Sequence, residues 1–208
     1  MKLTPINDSE IKQRLGTAMD APSVPQLSRS YARVREWFNQ TAPFIQWDRM
    51  DCPLGRLFVG VSRQGLCAVD FGRDESAFLG RFDRQARLEK SPKAVSQAIA
   101  ELREYFSGAR KNFTLPVDLS ALTAFQRSVL ETACRIPSGQ VWTYQRVARE
   151  MHRPKSSRPV GQALASNPIP IVIPCHRVIA SDGSLGGYSG GSGIEAKRWL
   201  LRLEGALS

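Results

Sequence analysis

The stretch "NPIPIVIPCHRVI", residues 167 to 179, constrains this chain more than any other. Proline fixes φ and lacks a backbone donor, so a β-branched run flanked by prolines reads as a short buried strand. "IPIVIP" is such a run, and it delivers Cys175 and His176 at its end. A thiol becomes a strong nucleophile as thiolate, and an adjacent imidazole or helix N-terminus lowers its pKa enough to populate that form. The competing reading is a buried structural cysteine beside a surface histidine, and adjacency in sequence does not decide between them. A zinc site is disfavoured, because only His152 and His176 exist and no other cysteine lies within ligand spacing of Cys175.

A glycine-rich run comes after the cysteine. "SDGSLGGYSGGSG" places six glycines around Tyr188 and Ser189, which permits a backbone that approaches a flat ligand closely. The segment has neither a Walker lysine nor the strand-helix setting of a dinucleotide fingerprint, so a phosphate cradle is a poor reading. A flexible linker is the alternative. The loop runs directly into "EAKRWLLRLEG", an amphipathic helix with Trp199, Leu200 and Leu203 on its apolar side and Gly205 as stop. It is therefore held at both ends.

Upstream, "FQRSVLETACRIPSG" carries apolar residues at helical spacing until Pro137 and Gly139 end the run. "WTYQRVAREM", capped by Thr143, and "RPVGQALASN" then form two short helices joined by the polar break "HRPKSS", the pattern of a helix-turn-helix. Helical hairpins that bind nothing share this pattern, so charge becomes the useful discriminator. Between Trp142 and Asn167, Arg146, Arg149, Arg153, Lys155 and Arg158 oppose Glu150 alone, in a chain whose formal net charge is +10. That balance favours an anionic partner, nucleic acid first among them.

The first half is patterned differently. "FIQWDRM", "RLFVGVS" and "LCAVDFG", separated by "CPLG" and "RQG", predict a small antiparallel meander, followed by helices over 75–86 and 93–107. Val95, Ile99, Leu102 and Phe106 share one face of the second helix, and Gly108 stops it. A Pro-containing connection places a boundary near 115–120, giving an extension over 1–40, an α/β domain over 41–117 and a C-terminal domain over 118–208. In the extension, Asp8 or Ser9 caps a helix bearing Ile11, Leu15 and Met19. Cys52, Cys67, Cys134 and Cys175 form no C-x-x-C pair and read as reduced thiols. With no apolar signal region and no membrane-length run, the expected location is the cytoplasm, or the nucleus in a eukaryote.

"SNPIPIVIPCHRVI", "GGYSGG", "KRWLL" and the late glutamate resemble the O6-alkylguanine-DNA alkyltransferase family. The similarity runs through residues 121 to 205, includes "FQRSVLETACRIPSGQVWTYQRVA", and extends more loosely to the "CPLGRLFVGVSRQGL" hairpin. The resemblance implies an α+β fold: a ribonuclease H-like N-terminal antiparallel sheet with helices, then a mostly helical, winged helix-turn-helix-like domain. It implies irreversible transfer of an alkyl group from O6-alkylguanine, and possibly O4-alkylthymine, in double-stranded DNA to Cys175, consuming the protein in one turnover. His176 would deprotonate the thiol through a water, Glu204 would orient His176, and Tyr144 would hydrogen-bond the base and stabilise the leaving group.

The same resemblance implies that Arg158 replaces the extruded base in the stack. Thr143, Tyr144, Gly161 and Ala165 would face DNA in the minor groove, although small residues there suit helix packing equally well. Asn167 would stabilise the turn before the cysteine, while Pro170, Val178, Tyr188 and Ser189 would line the guanine pocket. No cofactor, metal, membrane or obligate protein partner is expected, and a monomer suffices. Cys67 falls near a structural-zinc position found in some relatives, without the other ligands. Pro159 and Gln162 depart from the small residues expected after the arginine. The alternatives are a lesion-sensing protein that binds without repairing, an alkylation-responsive regulator and a cysteine hydrolase.

Overall fold

Alternation of buried and exposed positions builds the first half. The computed structural model describes residues 42–72 and 74–208, so the expected helix and linker of the extension lie outside the described residues. Strands β1 (Phe44–Cys52), β2 (Gly55–Ser62) and β3 (Gly65–Asp70) form the expected antiparallel meander, with a register shift at Gly60/Val61. On β2, Leu57 and Val59 face the main core while Phe58 points to the opposite face. There it meets Trp47, Ala68 and Phe78.

The sheet departs from expectation in two ways. The helix expected over 75–86 is only α1 (Glu75–Leu79), capped by Asp74 and ended at Gly80. Asp83 then turns the chain by accepting from the Gln85 amide at 2.7 Å, which frees Arg87–Lys90 to form β4. β4 pairs parallel to β1, so the sheet is mixed rather than antiparallel, in the order β3-β2-β1-β4. Helix α2 (Ser96–Phe106) then covers the main-core face with Ala98, Leu102 and Tyr105, and stops at Gly108, whose φ is 78°.

The second half is helical. α3 (Ala124–Ala133) begins with a reciprocal capping box between Thr123 and Gln126. After it come β5 (Trp142–Thr143), α4 (Tyr144–Glu150) and α5 (Ser157–Ala165), with β5 pairing parallel to β6 (Val178–Ile179). α6 (Ile194–Leu203) closes the chain. Residues 43–208 group as one compact unit, and a single cluster of buried side chains runs from Leu57 and Val59 through Val129, Leu130 and Ile173 to Leu200.

The segment before Cys175 is not a strand. Pro168, Pro170 and Pro174 supply no donors for a ladder, and the run "IPIVIP" instead folds back on itself, Ile173 N donating to Ile169 O at 3.0 Å. Ile171 adopts φ 76°, costly for a β-branched residue, while its side chain and those of Ile169 and Ile173 are buried.

Candidate functional site

The turn before the thiol is held from inside. Asn167 accepts from the Ile169 amide at 3.0 Å, and its Nδ2 donates to Ile173 O at 3.0 Å and to Cys175 Sγ at 3.2 Å. Cys175 opens a 3-10 turn, Cys175–Arg177, placed between this loop and β6. The thiol is 5% exposed. Burial pushes its pKa up, while the Asn167 hydrogen bond and the charge of Lys197 pull the other way. A protonated resting thiol requires a base.

Behind the turn lies a carboxylate with four donors. Glu204, just past the end of α6, has a side chain only 2% exposed. Its Oε1 accepts from His176 Nε2 at 2.9 Å, Arg177 Nη2 at 2.9 Å and the Tyr105 hydroxyl at 2.7 Å. Its Oε2 accepts from Arg177 Nε at 2.8 Å. Although burial opposes the charge, the hydrogen bonds from His176 and Arg177 hold the carboxyl far below its ordinary range. An ionised Glu204 fixes the hydrogen of His176 on Nε2, leaving Nδ1 as the lone-pair nitrogen. Burial lowers the imidazole pKa, so the ring is neutral, and Nδ1 is buried with no protein partner.

In front of the thiol is a cavity of about 440 Å³ walled by Tyr144, Gly161, Leu164, Ala165, Cys175, Gly187, Tyr188 and Ser189. Tyr144 opens α4, and Thr143 caps that helix by accepting from the Arg146 amide at 3.1 Å. Burial raises the Tyr144 pKa, keeping its hydroxyl a donor. Glycine is favoured beside it, because Gly186 has φ 66° and a Cβ there would lie 2.9 Å from the Tyr144 hydroxyl oxygen. A Cβ on Gly190 would fall 2.8 Å from the Tyr188 ring. These glycines let the loop carry Tyr188 and pass close to Tyr144 of α4, as a structured wall rather than a linker.

A second, more polar cavity of about 260 Å³ adjoins the first across Ala165 and Ser189. Pro170, expected to line the guanine pocket, lines this neighbour instead, together with Asn167, which was expected in the turn before the cysteine and bonds across it. Val178 is fully buried in β6 and absent from both walls, and its carbonyl accepts from Lys197 Nζ at 2.5 Å. Arg158, in the first turn of α5, is exposed beside Pro159 and Gln162.

The sequence reading missed Tyr105, Arg177 and Lys197. Lys197 is fully buried, donates also to Leu185 O at 2.5 Å, and has its pKa lowered to about 8 by burial. The "CHRV" motif exposed Arg177 to notice, but nothing local signals that Tyr105, 99 residues from Glu204, joins it. Among the described residues, no group of three or more His, Cys, Asp or Glu side chains is placed to hold a metal ion. No helix there is long and apolar enough to cross a membrane.

Two domains of one family match the chain in succession. The 6-O-methylguanine DNA methyltransferase ribonuclease-like domain matches residues 45–119, and the DNA-binding domain of the same family matches residues 124–206. A methylated-DNA–protein-cysteine methyltransferase of Methanosarcina barkeri is 37% identical, over 77% of this chain and 97% of its own length. One from Shigella flexneri is 40% identical over 77% and 95%. Among solved structures, Mycobacterium tuberculosis OGT in complex with DNA gives a TM-score of 0.66 at 31% identity, covering 78% of this chain and 93% of that one.

Proposed function

The chain belongs to the 6-O-methylguanine DNA methyltransferase family, and from that premise we propose how its own residues carry out the repair of O6-alkylguanine in DNA. Cys175 is the alkyl acceptor. A guanine inside a stacked duplex cannot bring its O6 substituent to a 5% exposed thiol, so the nucleotide is turned out into the cavity of Tyr144, Tyr188 and Ser189. Arg158, exposed at the start of α5, occupies the space the base leaves. The basic turn between α4 and α5 meets the phosphates.

The thiol proton passes to Nδ1 of His176 through a water, and Glu204 stabilises the resulting imidazolium through Nε2. Sulfur then bonds the alkyl carbon, and the carbon–O6 bond breaks with its electron pair going to guanine. Tyr144 donates a hydrogen bond to the departing base as its negative charge develops. A thioether has no easy return, so one protein repairs one lesion. A DNA substrate supports a place in the cytoplasm, or in the nucleus of a eukaryote. A lesion sensor or regulator that leaves the alkyl group in place is not favoured, because the acceptor thiol and a neutral imidazole are both present.

The observation that carries this reading is a buried thiol on the floor of a tyrosine-walled cavity, followed directly by a histidine that Glu204 holds in one tautomer. Mass spectrometry after incubation with duplex DNA containing one O6-methylguanine tests it. Stoichiometric gain of one methyl on the Cys175 peptide, absent in Cys175→Ser, is expected. Binding with no added mass would overturn it.

A further inference from the structure

The reacting geometry raises a question about O6 substituents larger than methyl. Displacement at carbon aligns sulfur, carbon and O6, so anything else attached to that carbon must spread sideways from the line. On one side stands Asn167, whose Nδ2 is 3.2 Å from Cys175 Sγ and whose side chain also walls the neighbouring polar cavity. Ala165 and Ser189 are common to both cavities. The polar cavity of about 260 Å³ thus lies one side chain, that of Asn167, away from the sulfur, and it shares two wall residues with the cavity in front of the thiol.

That volume contains an ion pair from the sheet half. Arg81 Nη1 lies 2.9 Å from Asp70 Oδ1, with side chains 38% and 30% exposed. Asp70 ends β3, and the Val69 amide beside it donates to Pro168 O at 2.9 Å, which ties this end of the strand to the loop before Cys175. The pair supplies an acceptor and a donor side by side in a fixed place.

Building on the transfer reaction proposed above, we propose that the cavity bounded by Asp70 and Arg81 receives the distal part of longer O6 substituents and selects those bearing a hydroxyl over alkyl chains of the same length. A hydroxyl donates to Asp70 and accepts from Arg81. An isosteric methyl displaces water from both charges and returns nothing, and a site built to bond a hydroxyl discriminates strongly against the analogue that lacks it. Because the pair is partly solvated, the discrimination is on the order of tenfold rather than the far larger factors of a sealed site.

Single-turnover rates on duplexes carrying O6-(2-hydroxyethyl)guanine and O6-propylguanine, equal in heavy atoms, test the proposal, with O6-methylguanine as reference. The hydroxyethyl-to-propyl rate ratio should fall about tenfold when the pair is replaced together, D70L/R81M, leaving no unpaired charge. If that variant does not fold, D70N/R81Q retains the shapes without the charges and should lower the ratio about threefold. A ratio unchanged in the folded variant overturns the inference. No transfer from O6-methylguanine by the parent protein would instead be failure of the proposed reaction, a distinct result.

Discussion

Two carboxylates in this protein have nearly the same burial and opposite roles. Glu101, on α2, takes the Thr114 amide at 2.9 Å, the Thr114 hydroxyl at 2.5 Å and Arg110 at 3.4 Å. Glu204 takes His176, Arg177 and Tyr105. Burial works against the charge in each, and hydrogen bonds with a nearby arginine overcome it, so both carboxyls sit below their ordinary pKa. The difference lies in the partners. Those of Glu101 keep their protons and pin a loop to a helix. One partner of Glu204 is an imidazole whose other nitrogen has no protein partner, in the residue next to a thiol, so the fixed charge is passed on to chemistry.

The contrast can be attacked at four strengths. The largest effect should come from Arg177→Met, which strips two charge-assisted hydrogen bonds from a carboxylate 2% exposed; unfolding in urea should show a loss of about 3–5 kcal/mol. A loss under about 1 kcal/mol would mean Glu204 is not held by charge. Next, Glu204→Gln should slow single-turnover methyl transfer about 100-fold, roughly 2.7 kcal/mol in the barrier, with DNA affinity little changed. The pH profile accompanies it. Burial depresses His176 below its ordinary 6.5, so transfer in the parent should persist below pH 6.5 and fall only as the ring finally takes a proton. The stability contributions of His176 and Glu204 have the same sign. Both folded pKa values are lowered, so the stabilisation is present above the unfolded values of 6.5 and 4.5 and is lost as pH falls through the folded ones.

Glu101→Gln is the matching control, expected to cost about 1–2 kcal/mol in thermal or urea unfolding while the transfer rate of the folded protein stays the same. A rate loss equal to that of the Glu204 variant would dissolve the contrast. The smallest effect belongs to Arg110→Met, below about 1 kcal/mol, because Arg110 is 23% exposed and its closer partner, Glu104, is 52% exposed.

Legibility in the sequence followed distance along the chain. Cys175, His176, Thr143 and the α4–α5 pair were readable because a short motif or helical period carries each. The pairing of β4 was not, since "RLEK" shows no alternation of its own and depends on β1 for its place. "IPIVIP" misleads because β-branched composition favours a strand, and its departure depends on Asn167 bonding across the turn. Lys197 contradicts the usual exposure of lysine and is explained only by backbone carbonyls contributed by separate segments. Glu204 was found through family likeness alone, and its network spans α2, the 3-10 turn and the end of α6.

The bond from the Val69 amide to Pro168 O gives the sheet half a way to report on the reactive loop. β3 is an edge strand, and this donor is satisfied not by another strand but by the segment that carries the thiol. The amide can exchange its proton with solvent only when that contact opens. Its exchange rate in deuterated water is therefore a clock on the departures of the loop, readable from a residue that takes no part in the chemistry.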